Sequence, residues 1–335
     1  MSISNASDAA EPAVNAGGAI DIHSHYLAPS LREVTMKALA GFMTGAQGPI
    51  RIPDSIKNWS PTWLVETMDQ VGIRTTVSHA TWRPPMYDMD AAARKSITRA
   101  TNEFGAKMKQ DHPGRIDFFG FLPMPDVDAT LAEIAYCLDE LKAPGVTVMS
   151  SYGPKWWGHA DFMPILEELN RRRAVVFCHP HTGSCCSNLM PGYVPDGILG
   201  LIEFPYDTGR AVTGLLMTGA LAKYPDIRWI FCHGGGPVPA LAGRLRIHVE
   251  GEASTPERLA TIAPKGVDYE LQKLYYETAD GASAPTMAAL LAYVPPTQVL
   301  FGSDSPYMQH ADNIHMLQDR KLKPEVWKAI TQDNA

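Results

Sequence analysis

Two histidines one residue apart carry the first chemical signal in this chain. The stretch GAIDIHSHYLAPS, residues 18–30, ends an apolar run with His23 and His25, and Asp21 lies two residues before the first. If AIDIHSH is a β-strand, its two-residue period places all three side chains on one face. Two imidazoles this close can share a metal ion. The alternative is a chance pair on a solvated strand end, and the rest of the sequence decides between them.

The elements that would position these residues alternate between β and α along the chain. Eight short β-rich runs recur, several of them continuous apolar stretches typical of parallel strands buried on both faces. They are residues 19–23, 74–79, 116–122, 145–150, 174–179, 227–233, 273–278 and 298–303. Helical patterns that stop near Gly or Pro separate them, for example PTWLVETMDQVG at 61–72. This alternation predicts an α/β fold, a (β/α)8 TIM barrel. A doubly wound open sheet is less favoured, because no glycine-rich dinucleotide fingerprint follows the first strand.

The 335 residues are predicted to form one large domain, since no repeat or linker divides them. Residues 1–17 are small, polar and acidic, and we expect a flexible tail there. A single barrel is expected over residues 18–335. Two long connections, at about 26–60 and 182–207, exceed simple turns and are expected to form lids or walls over the site.

The composition excludes several classes of function. The net charge of −7 argues against nucleic-acid binding, which favours a basic face. No run of about 18 apolar residues exists, so no membrane span is expected. The N-terminus lacks the basic start and apolar stretch of a signal peptide. Five cysteines are a sparse, odd-numbered set, which favours reduced thiols in a cytoplasmic protein over a disulfide framework.

Polar residues gather at the carboxyl ends of the predicted strands, where barrel enzymes carry their chemistry. These are His23 and His25 after the first strand, His79 after the second, His179 after the fifth, His233 after the sixth and Asp304 after the eighth. One histidine on an apolar face is usually a core residue. Several that converge on one barrel mouth with a carboxylate are typical of a site for a divalent ion such as Zn²⁺ or Mn²⁺.

The motifs together resemble a known superfamily. HxH on strand one, HP after strand five, HGGG after strand six and GSD after strand eight are similar to the amidohydrolase superfamily. The branch is the one that contains aminocarboxymuconate-semialdehyde decarboxylase and the hydroxybenzoate decarboxylases. The resemblance covers roughly residues 19–331. Stretches such as IEFPYDTGRAV and LYYETA look most like the 6-methylsalicylate decarboxylase-like members.

The resemblance implies roles for individual residues. It implies that one divalent ion is bound by His23, His25, His179 and Asp304. Zn²⁺ is the favoured ion, and Mn²⁺ is the alternative. It implies that His233 is catalytic and that the neighbouring Asp304 takes part in proton transfer.

Five further residues are predicted substrate contacts: Arg244, His181, His79, Arg83 and Tyr307. Similar proteins bind the substrate carboxylate through an arginine eleven residues after the catalytic histidine, sometimes across a dimer interface, and Arg244 has that spacing. The alternative interpretation is that Arg244 is an ordinary solvent-exposed charge on a helix. His181 in HPH and Tyr307 in SDSPY depart from the usual pattern and leave the substrate open. The chain ends at ITQDNA, where similar proteins usually continue the last helix, so a truncated C-terminus is an open alternative.

The predicted function is metal-dependent, non-oxidative decarboxylation of a 2-hydroxybenzoate-like or conjugated carboxylic acid. No organic cofactor is expected, because no nicotinamide, flavin or pyridoxal signature is visible. The alternative enzyme is a metal-dependent hydrolase, including of C–C bonds, or a hydratase acting on an aromatic ring-fission product. A metal-binding protein without catalysis is disfavoured by the presence of both His233 and Asp304. The expected partners are a small aromatic or dienoic carboxylate and a second copy of the chain, in a homodimer or dimer-based oligomer.

Overall fold

Eight parallel strands close into a barrel, as the sequence predicts. They are β1 (Ala19–His25), β2 (Ile73–His79), β3 (Ile116–Phe118 and Gly120–Phe121), β4 (Val146–Met149), β5 (Val175–His179), β6 (Arg228–Phe231), β7 (Tyr275–Glu277) and β8 (Val299–Leu300). Each pairs in parallel with the next along the chain. The barrel closes between β8 and β1, where the Ile22 amide donates to the Phe301 carbonyl at 3.0 Å and Ser24 bridges Ser305.

The computed structural model describes residues 15–42, 44–45, 48–49, 52–81, 86, 88–181, 183–186, 196–251 and 254–335. The flexible tail predicted at 1–17 therefore lies almost entirely outside the described residues. Arg83 lies outside them as well, and so does much of the expected lid at 182–207.

Helices connect the strands. They are α1 (Pro29–Phe42), α2 (Asp54–Lys57), α3 (Pro61–Val71), α4 (Ala91–Asp111), α5 (Val127–Ala135), α6 (Met163–Arg171), α7 (Asp196–Met217), α8 (Ala220–Lys223), α9 (Val238–Glu250), α10 (Pro256–Ile262), α11 (Val267–Gln272), α12 (Ala284–Tyr293), α13 (His310–Gln318) and α14 (Pro324–Lys328). Short 3-10 or π turns lie at Ala160–Phe162, His233–Gly235, Pro296–Gln298, Tyr136–Glu140 and Ala329–Asp333. Small antiparallel hairpins pair Thr44–Gly45 with Gly48–Pro49, and Ser151–Tyr152 with Lys155–Trp156.

Helix α3 shows how local sequence sets an element's bounds. Ser60 precedes it, and its side chain accepts a hydrogen bond from the Trp63 amide at 3.1 Å. Pro61 occupies the first turn, where its missing N–H costs nothing. Gly72 follows the last turn with a φ of 73°, which glycine adopts without a Cβ clash. The helix predicted at 61–72 is confirmed.

The first strand departs from regular alternation. The sequence predicts Asp21 on the same face as His23, and this is wrong. The Asp21 carboxylate instead accepts hydrogen bonds from the Ser303 amide at 3.0 Å and from the Ser303 hydroxyl at 2.6 Å. Its Oδ2 also lies 3.8 Å from Nε2 of His310 on α13. Asp21 therefore ties β1 to the loop after β8.

The cause is an irregularity in β1. Its ladder with β2 shifts register between Asp21 and Ser24. Ile22 packs in a buried cluster with Phe177, and the ring of the next residue, His23, lies 5.1 Å from the same Phe177 ring. A bulge of this kind lets consecutive residues reach one side of a strand.

The two long connections are partly helical. Helices α1 and α2 lie within 26–60, and the Ser55 hydroxyl of α2 donates to the Pro306 carbonyl at 2.9 Å, which ties this wall to the loop after β8. Residues 196–207 form the first half of α7, although Pro205 lies inside that helix.

The cysteines differ in part from expectation. Cys137, Cys178 and Cys232 are buried and free, but Cys185 and Cys186 are joined by a disulfide between adjacent residues. The prediction of reduced thiols is therefore wrong for this pair, because sparse spacing does not exclude a bond between neighbours. Within the described ranges, no helix combines the length and apolar character needed to cross a membrane.

Candidate metal centre and active site

Four imidazoles from three strands meet at the barrel mouth. His23 and His25 come from β1, His79 from β2 and His179 from β5, and all four are buried. One ring nitrogen of each lies within 4.8 Å of the others. Strand ends far apart in sequence therefore deliver a cluster of potential metal ligands, as the sequence predicts for parallel strands in a barrel.

A carboxylate joins two of these imidazoles. Asp304 Oδ1 lies 2.8 Å from His25 Nε2 and 3.4 Å from His23 Nε2, and the two nitrogens are 3.3 Å apart. Ligand atoms around a tetrahedral ion with bonds of 2.0–2.1 Å are about 3.4 Å apart. The three atoms are thus spaced to surround one small divalent ion.

Three of the histidines are oriented through their second ring nitrogen. Nδ1 of His23 lies 2.8 Å from Glu277 Oε1, Nδ1 of His25 2.8 Å from Thr81 Oγ1, and Nδ1 of His179 2.6 Å from the Pro180 carbonyl oxygen. A carboxylate and a carbonyl can only accept, so His23 and His179 carry their proton on Nδ1. That tautomer leaves the Nε2 lone pair available for a metal, and such partners are typical of metal-binding histidines.

His79 lacks this support. Its Nδ1 lies 3.3 Å from the Ala80 carbonyl oxygen, and its buried Nε2 has no hydrogen-bond partner among the described residues. Burial, reinforced by the neighbouring imidazoles, holds the pKa of His79 and of His179 well below 6.5. Both rings are therefore neutral near pH 7, the form in which imidazole binds metals.

The carboxylates make this position favourable for positive charge. Burial opposes the imidazolium of His23, but the nearby Glu277 and Asp304 carboxylates contribute to a combined opposing effect that raises the pKa of His23 well above 6.5. Burial likewise opposes the charged form of Asp304, yet its hydrogen bonds with His23 and His25 hold the pKa of Asp304 well below 3.8. The donor set and its charge therefore fit a divalent cation.

Glu277, which sequence reasoning missed, supports both halves of the site. Its carboxylate is fully buried at the end of β7. Oε1 accepts from His23 Nδ1 and from the His233 amide, both at 2.8 Å, and Oε2 accepts from the Ala279 amide at 2.5 Å. A Cβ at Gly302 would lie 2.1 Å from Glu277 Oε2, which explains the glycine of the GSD motif. The available signal was a lone carboxylate in the apolar strand LYYET.

We expect Glu277→Gln to weaken metal binding by about 10- to 100-fold, the usual cost of losing the partner of a metal-binding histidine. Both Glu277 oxygens accept from N–H donors, so a glutamine must turn its NH₂ group toward one of them. The measurement is a metal dissociation constant from chelator competition. Glu133→Gln is the matched control, since Glu133 is a buried carboxylate that pairs with Arg99. Equal dissociation constants in the two variants would contradict the expectation.

His233 and Asp304 form the accessible side of the site. Both are half-buried, and they share a second group of potential ligand atoms with His23, within 4.8 Å of one another. Their backbones are left-handed, with φ of 56° and 58°. Such conformations cost non-glycine residues about 1–3 kcal/mol each and cluster at functional sites. Burial lowers the pKa of His233 below 6.5.

The glycines that follow His233 in the HGGG turn pack closely against neighbouring elements. A Cβ at Gly235 would lie 2.4 Å from Tyr276 Cδ1, and a Cβ at Gly236 would lie 2.3 Å from the Pro205 carbonyl oxygen. Only glycine allows this close approach. The motif is therefore needed to seat the turn between β7 and α7.

The predicted substrate contacts fall in different places. Tyr307 presents its ring edge-on to His25 with centroids 4.7 Å apart, at the mouth. His181 is half-buried after β5, and its Nε2 lies 2.8 Å from the Ser151 carbonyl oxygen. Arg244 is exposed on α9, and within the described part of the chain no hydrogen bond or ion pair links it to the imidazole cluster.

Asp207 is a second residue that the sequence did not reveal. It is fully buried on α7 and accepts hydrogen bonds from the hydroxyls of Ser150 and Ser151 and, at 2.6 Å, from Trp156 Nε1. Because Ser151 also contacts His181, the aspartate fixes the wall on that side of the mouth.

The same architecture is found in known proteins. The family model described as amidohydrolase matches residues 20–335. This chain belongs to the amidohydrolase family. The predicted superfamily is thereby confirmed.

Curated relatives of this amidohydrolase are named as decarboxylases. Decarboxylase yanB of Aspergillus niger is 30% identical over 329 residues, which cover 94% of this chain and 86% of the relative. The 6-methylsalicylic acid decarboxylase acuB of Aspergillus aculeatus is 32% identical over 295 residues, covering 86% and 84%.

A solved structure supports the fold. The dihydroxybenzoic acid decarboxylase of Polaromonas sp. JS666, with bound manganese and the inhibitor 2-nitroresorcinol, matches this amidohydrolase with a TM-score of 0.77. The identity is 19%, over 95% of both chains. The barrel fold predicted from the sequence is confirmed.

Proposed function

We propose that this amidohydrolase is a metal-dependent, non-oxidative decarboxylase of a 2-hydroxybenzoate-like acid. The observation that carries the proposal is the convergence of His23, His25 and Asp304 at metal-ligand spacing, with His233 beside them on the accessible side. The substrate class is supported by the relative named for 6-methylsalicylic acid, which is itself a 2-hydroxybenzoate.

The proposed ligands of one divalent ion are His23, His25, His179 and Asp304. Each of the three histidines has a close hydrogen-bond partner on Nδ1, which supports it as a ligand. His79 is left out because the nearest partner of its Nδ1 is 3.3 Å away. Three imidazoles and a carboxylate favour Zn²⁺, with Mn²⁺ as the alternative. Elemental analysis of the purified protein decides between them.

A divalent ion held there would supply positive charge that stabilises the substrate's carboxylate and phenol oxygens. The chain's own task is to deliver a proton. The ring carbon that bears the carboxylate must accept a proton before CO₂ leaves, because the alternative is a free aryl carbanion. His233, beside the Asp304 carboxylate, is the group proposed to hand over that proton. The bond to CO₂ then breaks, its electron pair returns to the ring, and a proton has replaced CO₂.

The test is a panel of hydroxybenzoates and dienoic ring-fission acids, assayed for CO₂ release and, separately, for water addition or hydrolysis. We expect CO₂ from a 2-hydroxybenzoate and one proton taken up into the ring from solvent. If the hydroxybenzoates are inert and a ring-fission acid is hydrolysed or hydrated without CO₂ release, the hydrolase or hydratase alternative replaces this proposal.

We also propose a homodimer in which α7 and α9 face a second copy. These helices expose large apolar side chains on the described surface: Leu201, Ile202, Tyr206, Leu241 and Ile247. Arg244 is exposed on the same α9. Apolar exposure on two helices that contact each other indicates an interaction surface.

Arg244→Ala is expected to raise KM by about 10- to 100-fold, because a hydrogen bond to a charged group contributes about 1.5–3 kcal/mol. Arg246→Ala on the same helix is the matched control, since Arg246 pairs with Asp268 instead. Sedimentation velocity is expected to show a dimer. A strictly monomeric protein in which Arg244→Ala keeps its KM would contradict both expectations.

A further inference from the structure

We infer that Asn313 is a positioning residue that holds the two turns on which Asp304 and His233 depend. Asn313 lies on α13 and is almost fully buried, at 1% exposure. Its Oδ1 accepts from the Asp280 amide at 2.9 Å, and its Nδ2 donates to the Ser303 carbonyl at 2.6 Å. One side chain therefore joins the turn after β7 to the turn after β8. The inference rests on the proposed function for its catalytic consequence.

Both turns contain a non-glycine residue in the left-handed region. Asp280 has a φ of 47° and Asp304 a φ of 58°. Residues with a Cβ keep such a backbone only where the surroundings determine it. Asn313 bonds the N–H of Asp280 itself and the carbonyl of Ser303, which belongs to the peptide group directly before Asp304. The two bonds therefore act at the strained positions.

The turn after β8 aims a proposed ligand. The Asp304 amide donates to the His23 carbonyl at 2.7 Å, while Asp304 Oδ1 lies 2.8 Å from His25 Nε2. A rotation of the peptide that joins Ser303 to Asp304 would move this carboxylate relative to both histidines. The bond from Asn313 opposes that rotation from the opposite side of the same peptide group.

The turn after β7 supports the proposed proton donor. Gly281 packs so closely against the HGGG turn that a Cβ there would lie 2.8 Å from both the His233 carbonyl carbon and the Gly234 nitrogen. Asp280 directly precedes Gly281. A shift of the Asp280 amide, which donates to Asn313, would therefore displace Gly281 and with it the backbone of the HGGG turn that carries His233.

Asparagine suits this position because its amide offers one acceptor and one donor on a short stem. Aspartate keeps the acceptor for Asp280 but loses the donor to Ser303, and alanine loses both. An ordinary buried hydrogen bond is the competing explanation. It predicts lower stability with no specific effect on metal release or turnover.

The experiment compares Asn313→Asp and Asn313→Ala with Asn102→Ala. Asn102 is the matched control because it is also buried and its side chain also both accepts and donates a hydrogen bond. It accepts from the Phe121 amide and donates to the Phe121 carbonyl, next to β3 and away from the turns after β7 and β8. The readouts are the rate of Zn²⁺ release from the zinc-loaded protein to a colorimetric chelator, kcat, KM and thermal stability.

We expect Asn313→Ala to release zinc about 10-fold or more faster than the wild-type protein and to lose about 10-fold or more in kcat. Its KM is expected to stay within about threefold of the wild-type value. Asn313→Asp is expected to release zinc as fast, since it removes the bond on the Asp304 side, and its near-identical size leaves no cavity. Asn102→Ala should lose stability while keeping wild-type zinc release and kcat.

Wild-type zinc release in Asn313→Asp, or equal losses in Asn102→Ala, would overturn the inference. Failure of the proposed function is a separate outcome. If the wild-type protein decarboxylates none of the hydroxybenzoates, the zinc-release comparison still decides whether Asn313 positions Asp304.

Discussion

His179→Ala and Asp304→Ala are each expected to lose the bound divalent ion and more than about 100-fold in turnover. Replacing a hydrogen-bond partner of a metal ligand already costs 10- to 100-fold, and removing the ligand itself costs more. His179 is oriented by the Pro180 carbonyl at 2.6 Å, and Asp304 lies within 3.4 Å of two imidazole nitrogens. Elemental analysis and CO₂ release measure the two effects.

His79→Ala is the control that separates ligand from neighbour. Its ring centroid lies 4.1 Å from that of His25, so it shares the burial and crowding of the cluster. It lacks a close partner on Nδ1, and we expect the variant to keep its metal. Full metal content and activity in both His179→Ala and Asp304→Ala would reject the proposed ligand set. Loss of metal in His79→Ala alone would move His79 into it.

The barrel could be predicted because its signals are local. Each strand is a short apolar run, and helix α3 begins at Ser60 and Pro61 and ends at Gly72, as such residues predict. The start of helix α7 is harder to predict, because Pro205 lies inside the helix and an interior proline usually breaks one. A sequence pattern therefore places its start after the proline, whereas the structure begins it at Asp196.

The strand ends that carry the imidazoles could also be predicted, but the orientation of Asp21 could not. The motifs HxH, HP, HGGG and GSD mark the ends of β1, β5, β6 and β8, and a barrel brings such ends together. The bulge in β1 leaves no mark in AIDIHSH, where regular alternation and a shifted register fit equally well. The side of β1 that Asp21 faces follows from its bonds to Ser303, which is 282 residues away.

The partners of the imidazoles escaped prediction for a related reason. Glu277 is 254 residues from His23, and Asn313 is 33 residues from Asp280. No short motif links such residues, because each bond depends on how two strand-end turns meet in space. Their effects on metal binding are therefore accessible only from the folded geometry.

His233→Asn is expected to lose at least about 100-fold in turnover while keeping its metal. The loss is the scale of a missing general acid–base group, since an amide side chain cannot act as a general acid or base near neutral pH. Asparagine is the informative replacement because it tolerates the left-handed backbone that His233 adopts, at a φ of 56°. The Glu277 carboxylate would still accept from the backbone amide at this position. The turnover loss would then report the missing imidazole and not a collapsed turn.

Metal content decides how that loss is read. His233 belongs to a group with His23 and Asp304 whose potential ligand atoms lie within 4.8 Å of one another, so it is close enough to compete for the ion. A variant with full metal and wild-type turnover would exclude His233 from proton transfer. A variant that loses the metal as well would make His233 a ligand. Retained metal with turnover reduced at least about 100-fold, and loss of the limb of the kcat/KM–pH profile that His233 contributes, is the result that a proton donor beside the ion requires.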